Sequence, residues 1–146
     1  MKRFDFPLER VRRWRSEQLD LEELKLQQIL GERQSLARSK QRVRDELEHA
    51  QRELLAHKSL EPGELESLDS FRQYIRGCVR NIEAREQECE ARIAAQRQRV
   101  IAARQQFELL DRLRQKALAE WRAAADREQE TMAAELFLAK TVRNVH

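Results

Sequence analysis

Glycine and proline are scarce in this sequence, with three and two respectively in 146 residues. Turns and helix stops are therefore confined to a few places, and only Pro62 and Gly63 stand together, in the stretch SLEPGELES. Aromatic residues make up 5% and charged residues 38%, which is too polar for a conventional compact core at this length. No apolar run approaches the roughly 20 residues of a membrane span, and the first residues lack the apolar region of a signal peptide, so a cytoplasmic chain is expected. Cysteines are few as well. Cys78 and Cys89 fall on one expected helix about 16 Å apart, at ~1.5 Å per residue, too far to bridge each other. The histidines, His49, His57 and His146, are scattered outside the i,i+3 and i,i+4 spacings of helical metal ligands. There is no glycine-rich phosphate loop and no Ser/His/Asp set that a helical chain would assemble. Neither catalysis, a metal nor a cofactor is expected, and the function should be interaction.

What remains is rich in Leu, Ala, Glu, Arg and Gln, all strong helix formers. The 29 basic and 26 acidic residues leave a net charge of +3 and alternate along the chain, as on solvated helix faces. No long basic block exists, so nucleic acid is not an expected partner. Only Arg10, Arg12, Arg13 and Arg15 would serve that rival reading, and such binding would fall steeply with salt.

Two heptad series run through the chain. In the first helix, Leu19, Leu26, Arg33, Lys40, Leu47 and Leu54 alternate with Glu22, Ile29, Leu36, Val43, Ala50 and His57. In the second, the series from Leu65 passes through Arg72, Val79, Glu86, Ile93, Val100, Phe107 and Arg114 to Trp121. Its companion runs from Leu68 through Ile75, Ile82, Cys89, Gln96, Ala103, Leu110 and Ala117 to Ala124. Sustained apolar positions at this period predict a left-handed coiled coil. The fold class is all-α, a long antiparallel two-helix coiled-coil hairpin and a single domain over residues 1–146. Helix one covers about residues 7–59, the turn 60–64, and helix two about 64–139. The hairpin would be a rod whose helices span about 80 and 110 Å at ~1.5 Å per residue, with roughly the last 25 residues passing beyond the start of helix one. Lys40 and Glu86 come nearly opposite one another, either as an ion pair or with both side chains snorkelling outward.

Apolar residues off the seam of a two-stranded structure are informative because nothing in the hairpin covers them. Three groups qualify. Phe4, Phe6, Leu8, Val11, Trp14, Leu21 and Leu24 form an N-terminal stripe. Trp121, Met132, Leu136, Phe137 and Leu138 lie near the C-terminus. After the turn, Phe71 and Cys78 sit beside the seam and flank its Ile75 and Ile82, and the four make one face spaced 4, 3 and 4. Each group either packs within the hairpin or serves as a docking face.

The opening FDFPLERVRRWR, the Pro-Gly-broken antiparallel layout and the stretch LLDRLRQKALAEWRAAADREQE resemble the FliJ family of flagellar type III export proteins and the YscO-type stalk proteins of virulence secretion. The resemblance implies a fold like the coiled-coil part of a rotary ATPase gamma subunit. It implies a soluble stalk and general chaperone component linking the hexameric export ATPase to the cytoplasmic domain of the export gate, handling export chaperones, and peripherally associated with the inner membrane at the flagellar base. It also implies gate contact through Phe71, Ile75, Cys78 and Ile82. The ring-associated end would comprise Phe4, Phe6, Leu8, Val11, Trp14, Trp121 and Phe137. The alternatives are a structural or scaffolding coiled coil unrelated to export and an intermolecular coiled coil.

Overall fold

The computed structural model describes residues 2–145. Two helices account for almost all of them, α1 over Glu9–Leu55 and α2 over Pro62–Val145, packed as an antiparallel two-helix hairpin. The boundaries differ from those expected, for local reasons. α1 begins two residues late because Pro7 and Leu8 form a turn, in which the Glu9 amide donates to the Phe6 carbonyl at 3.1 Å and the Arg12 amide to the Leu8 carbonyl at 2.9 Å. α1 ends four residues early, ahead of His57, Lys58 and Ser59, which lie in the loop. α2 starts at Pro62 itself, since proline suits a first helical position whose N–H would have no partner. The Glu61 carbonyl then accepts from the Glu64 and Leu65 amides at 3.1 and 3.4 Å. No glycine or proline stops α2, so it continues to Val145.

The chain divides into two compact units, residues 21–101 and residues 1–20 with 102–146. In the first, α1 and α2 are joined by the loop and bury a narrow apolar seam. Its centre is Ile29, Cys89 and Ile93, with Leu26, Leu30 and Leu36 packed against them. Ile93 is the most enclosed, at 1% exposure, and the Cys89 thiol donates to the Ile29 carbonyl at 3.5 Å. Both cysteines are free thiols. Every expected seam position of α1 from Leu19 to Leu54 is buried or half-buried.

On α2 the seam follows the expected series in its middle and departs from it at each end. Leu65, Arg72 and Ala124 are exposed, while Glu64, Phe71 and Ala125 face inward. The exchange of Arg72 for Phe71 near the loop is a one-residue rotation that puts a phenyl ring where a guanidinium would have to be desolvated.

Polar groups interrupt the seam and are paired there. The Gln96 side-chain amide, buried with its residue at 5% exposure, donates to the Glu22 carbonyl at 2.9 Å and to the Glu22 carboxylate at 2.5 Å. Lys40 Nζ stands 2.8 Å from Glu86 Oε1, so the two expected neighbours do form an ion pair. Arg33 with Glu90, at 3.1 Å, and Arg92 with Glu32, at 2.7 Å, add links across the helices at the seam's edge.

Gln96 holds the Glu22 carboxyl below its ordinary value. Partial desolvation opposes that effect, and Lys25 and Arg99 add to it. A depressed carboxyl pKa stabilises the fold above the unfolded-state value, and this contribution is lost as pH falls through the folded one. Between about pH 6 and about pH 3 the wild-type chain should therefore lose more resistance to urea than Glu22→Gln does. Equal losses would show that the Gln96 contact contributes nothing. Replacing Ile93 by alanine should cost about 2 to 5 kcal/mol in the same assay, by lost transfer energy and the cavity left behind.

Candidate functional site

The unit of residues 1–20 with 102–146 is built around the N-terminal segment. Phe4 and Phe6 precede α1, and the Pro7–Leu8 turn directs them back onto α2. Phe6 is buried at 8% exposure. Phe4 meets Trp121 edge to face, with ring centroids 6.0 Å apart, and the Trp121 indole N–H donates to the Lys2 carbonyl at 3.1 Å. The Arg114 guanidinium lies 5.7 Å from the Phe4 ring centre and 3.4 Å from Glu9. Arg12 is drawn between Glu9 at 3.2 Å and Asp111 at 3.0 Å, and it covers the Phe107 ring at 5.4 Å. Arg13 lies 3.6 Å from Glu9. Arg15 lies over Trp14 at 4.7 Å and donates to Gln106. Arg12 is thus occupied within the chain, whereas the Arg13 side chain stays 74% exposed beside its partner.

The proposed ring-end residues therefore separate into two sets. Phe4 and Trp121 pack against each other and Phe6 is buried inside this unit. Leu8, Val11 and Trp14 remain exposed, as does Phe137. Sequence reasoning passed over Leu109 and Leu113 on α2, which are also exposed in this unit. Their position one residue before the seam places of Leu110 and Arg114 was the available signal.

Beyond Ala125 nothing in the unit covers α2, and residues 126–145 are all exposed. This stretch carries Met132, Leu136, Phe137, Leu138, Val142 and Val145. Leu136, Phe137 and Leu138 each stand about 100° on from the last, so the apolar surface covers more than half the circumference. A helix apolar around so much of its surface is normally enclosed by other protein. Val142 and Val145 extend the expected group, because the helix itself runs farther than expected.

In residues 21–101, the turn-proximal group lies closer to the seam than to the surface. Ile75 is 3% exposed, while Phe71, Cys78 and Ile82 are half-buried. Ile75 acts as a seam residue, and what the closed hairpin offers a partner are the outer edges of the other three. Of the N-terminal stripe, Leu21 and Leu24 are exposed. Among the histidines, His49 Nε2 is 3.0 Å from Glu53 and His57 Nδ1 is 3.8 Å from Glu64, while His146 lies outside the described residues. No helix among the described residues is long and apolar enough to cross a membrane.

The Phe4–Trp121 contact can be read in solution. With Trp14 replaced by phenylalanine, the remaining tryptophan should shift to longer emission wavelength and become more accessible to acrylamide when Phe4→Ala is added. The lost aromatic pair corresponds to about 1 kcal/mol. An unchanged spectrum would mean that the N-terminal segment does not dock there.

No protein-family model matches the chain, and comparison with curated proteins and with solved structures gives no match either.

Proposed function

We propose that this chain is a protein-binding stalk of the type III export apparatus, similar to the FliJ family, which performs no chemistry of its own. In this reading the unpaired end of α2, together with Leu8, Val11 and Trp14, engages the hexameric export ATPase. The outer edges of Phe71, Cys78 and Ile82 engage the cytoplasmic domain of the export gate. Export chaperones are further partners, and the chain works in the cytoplasm against the inner membrane at the flagellar base.

The observation that carries this reading is the uncovered stretch of residues 126–145. A chain with barely enough apolar surface for one seam leaves six large apolar side chains outside it, on an unbroken helix. Such a helix suits the inside of a ring, which can surround it, better than a flat surface, which would cover one face only. The FPLERV opening and the hairpin layout support the same reading from the sequence. Coupling then follows from covalent continuity. Both helices contribute to both units, so a change in how a ring holds one unit acts on the same two helices that form the other.

Co-purification with the export ATPase encoded in the same genome tests the proposal. Leu136→Asp combined with Phe137→Asp should abolish co-elution, because a carboxylate in an enclosed apolar site costs several kcal/mol. Any loss of helical content should be confined to residues 126–145, since neither residue packs within the chain. Phe71→Ala should weaken binding to the gate domain. Full co-elution of the double variant would remove the ring assignment and favour a scaffold unrelated to export.

A further inference from the structure

A second surface, beside the interhelix loop, has a more defined chemistry. The last turns of α1 contribute Ala50 and Leu54, and the first turns of α2 contribute Gly63, Glu64, Leu68 and Phe71, around a shallow groove of about 450 Å³. Its walls are largely aliphatic and aromatic. The charged groups lining it are both carboxylates, Glu61 and Glu64. Glu64 Oε2 is shut off from solvent without a hydrogen bond, and the neighbouring His57 Nδ1 is 3.8 Å away. A carboxylate oxygen in that state is costly unless a donor reaches it. The Glu64 side chain as a whole is 37% exposed, so a small rotation brings it to an incoming group.

Gly63 marks the open part of the groove. A Cβ added there would meet nothing within 4 Å, and the residue does not have a positive φ. The backbone does not need glycine at this position, and the space above it is free for an occupant.

We infer that this groove is a docking site for a protein segment presenting a large apolar side chain next to a lysine or arginine. The apolar side chain lies over Leu54, Leu68 and Phe71, and the cation completes the shell of Glu64 with Glu61 beside it. An acidic segment would bring like charge against two carboxylates, and a purely apolar one would seal Glu64 in without a donor, so charge complementarity selects the basic segment. The inference rests on the function proposed above in one respect, that the segment belongs to the gate's cytoplasmic domain. It extends the gate contact from the Phe71 side of α2 to Leu54 on α1 and to Glu64.

The full chain, labelled with nitrogen-15, can be titrated with phenethylammonium, phenethyl alcohol and phenylacetate while the amides of Gly63, Glu64 and Ser67 are followed by NMR. The ammonium compound should shift these amides at several-fold lower concentration than the alcohol, and phenylacetate should leave them in place. Glu64→Gln should erase the preference. Gly63→Leu, whose Cβ would meet nothing within 4 Å, should abolish the response with the helical circular dichroism retained, and should weaken gate-domain binding by at least about tenfold. An equal response to amine and acid, or an unaltered response in Gly63→Leu, overturns the groove. Gate binding that is normal in Gly63→Leu also overturns it, while leaving the gate as a partner. An amine-selective response without any gate binding by the wild-type chain supports the groove and refutes the gate as its occupant.

Discussion

The structure depends on a single constraint: each helix has one narrow apolar stripe, and the stripe of the other helix is what covers it. Neither helix would hold its shape well alone, because most helical stability in proteins comes from packing an apolar face rather than from propensity. Around Ile29, Cys89 and Ile93 that packing is tight enough to enclose a β-branched side chain almost fully. Elsewhere the seam is half-open, and long charged side chains lean over its edges. This economy explains the composition. A two-helix interface needs few large side chains, and the rest of each surface belongs to water.

The polar interruptions of the seam have a different role from the apolar positions. Gln96 is satisfied only where Glu22 stands opposite, and Lys40 meets Glu86 in the same alignment. Sliding one helix along the other by a turn would exchange Leu for Leu at modest cost but would leave these groups buried without partners. Partly exposed ion pairs contribute little to stability, whereas polar groups within a coiled-coil seam select its register. The apolar stripe brings the helices together, and the Gln96 and Lys40 contacts choose how they align.

Much of this was legible in the sequence, because heptad periodicity reports directly which face of a helix is covered. The α1 series from Leu19 to Leu54 faces inward throughout. Legibility failed where periodicity stops deciding. Next to the loop, Phe71 and Arg72 compete for one place, and a strict seven-residue count favours the arginine although desolvation favours the ring. The helix ends were misplaced because a cap depends on carbonyl positions such as that of Glu61, which no pattern of side chains specifies. The fold-back of Phe4 and Phe6 onto α2 also required knowing what stood opposite them. As for the candidate surfaces, the seam place of Ile75 and the exposed apolar residues could be named in advance, but not the groove formed jointly by Leu54 and Phe71.

The last stretch of α2 has a thermodynamic consequence of its own. With no packing along residues 126–145, its helical state is supported by backbone hydrogen bonds and local propensity alone, without the tertiary contacts that supply most helical stability in proteins. Thr141, Val142 and Asn144 weaken it further at the terminus. It is therefore the part of α2 that unwinds most readily. Any association that encloses it completes a folding step as well as burying apolar surface. The heat capacity of such an encounter falls by more than the contact area alone accounts for, and part of the binding free energy goes into ordering the helix.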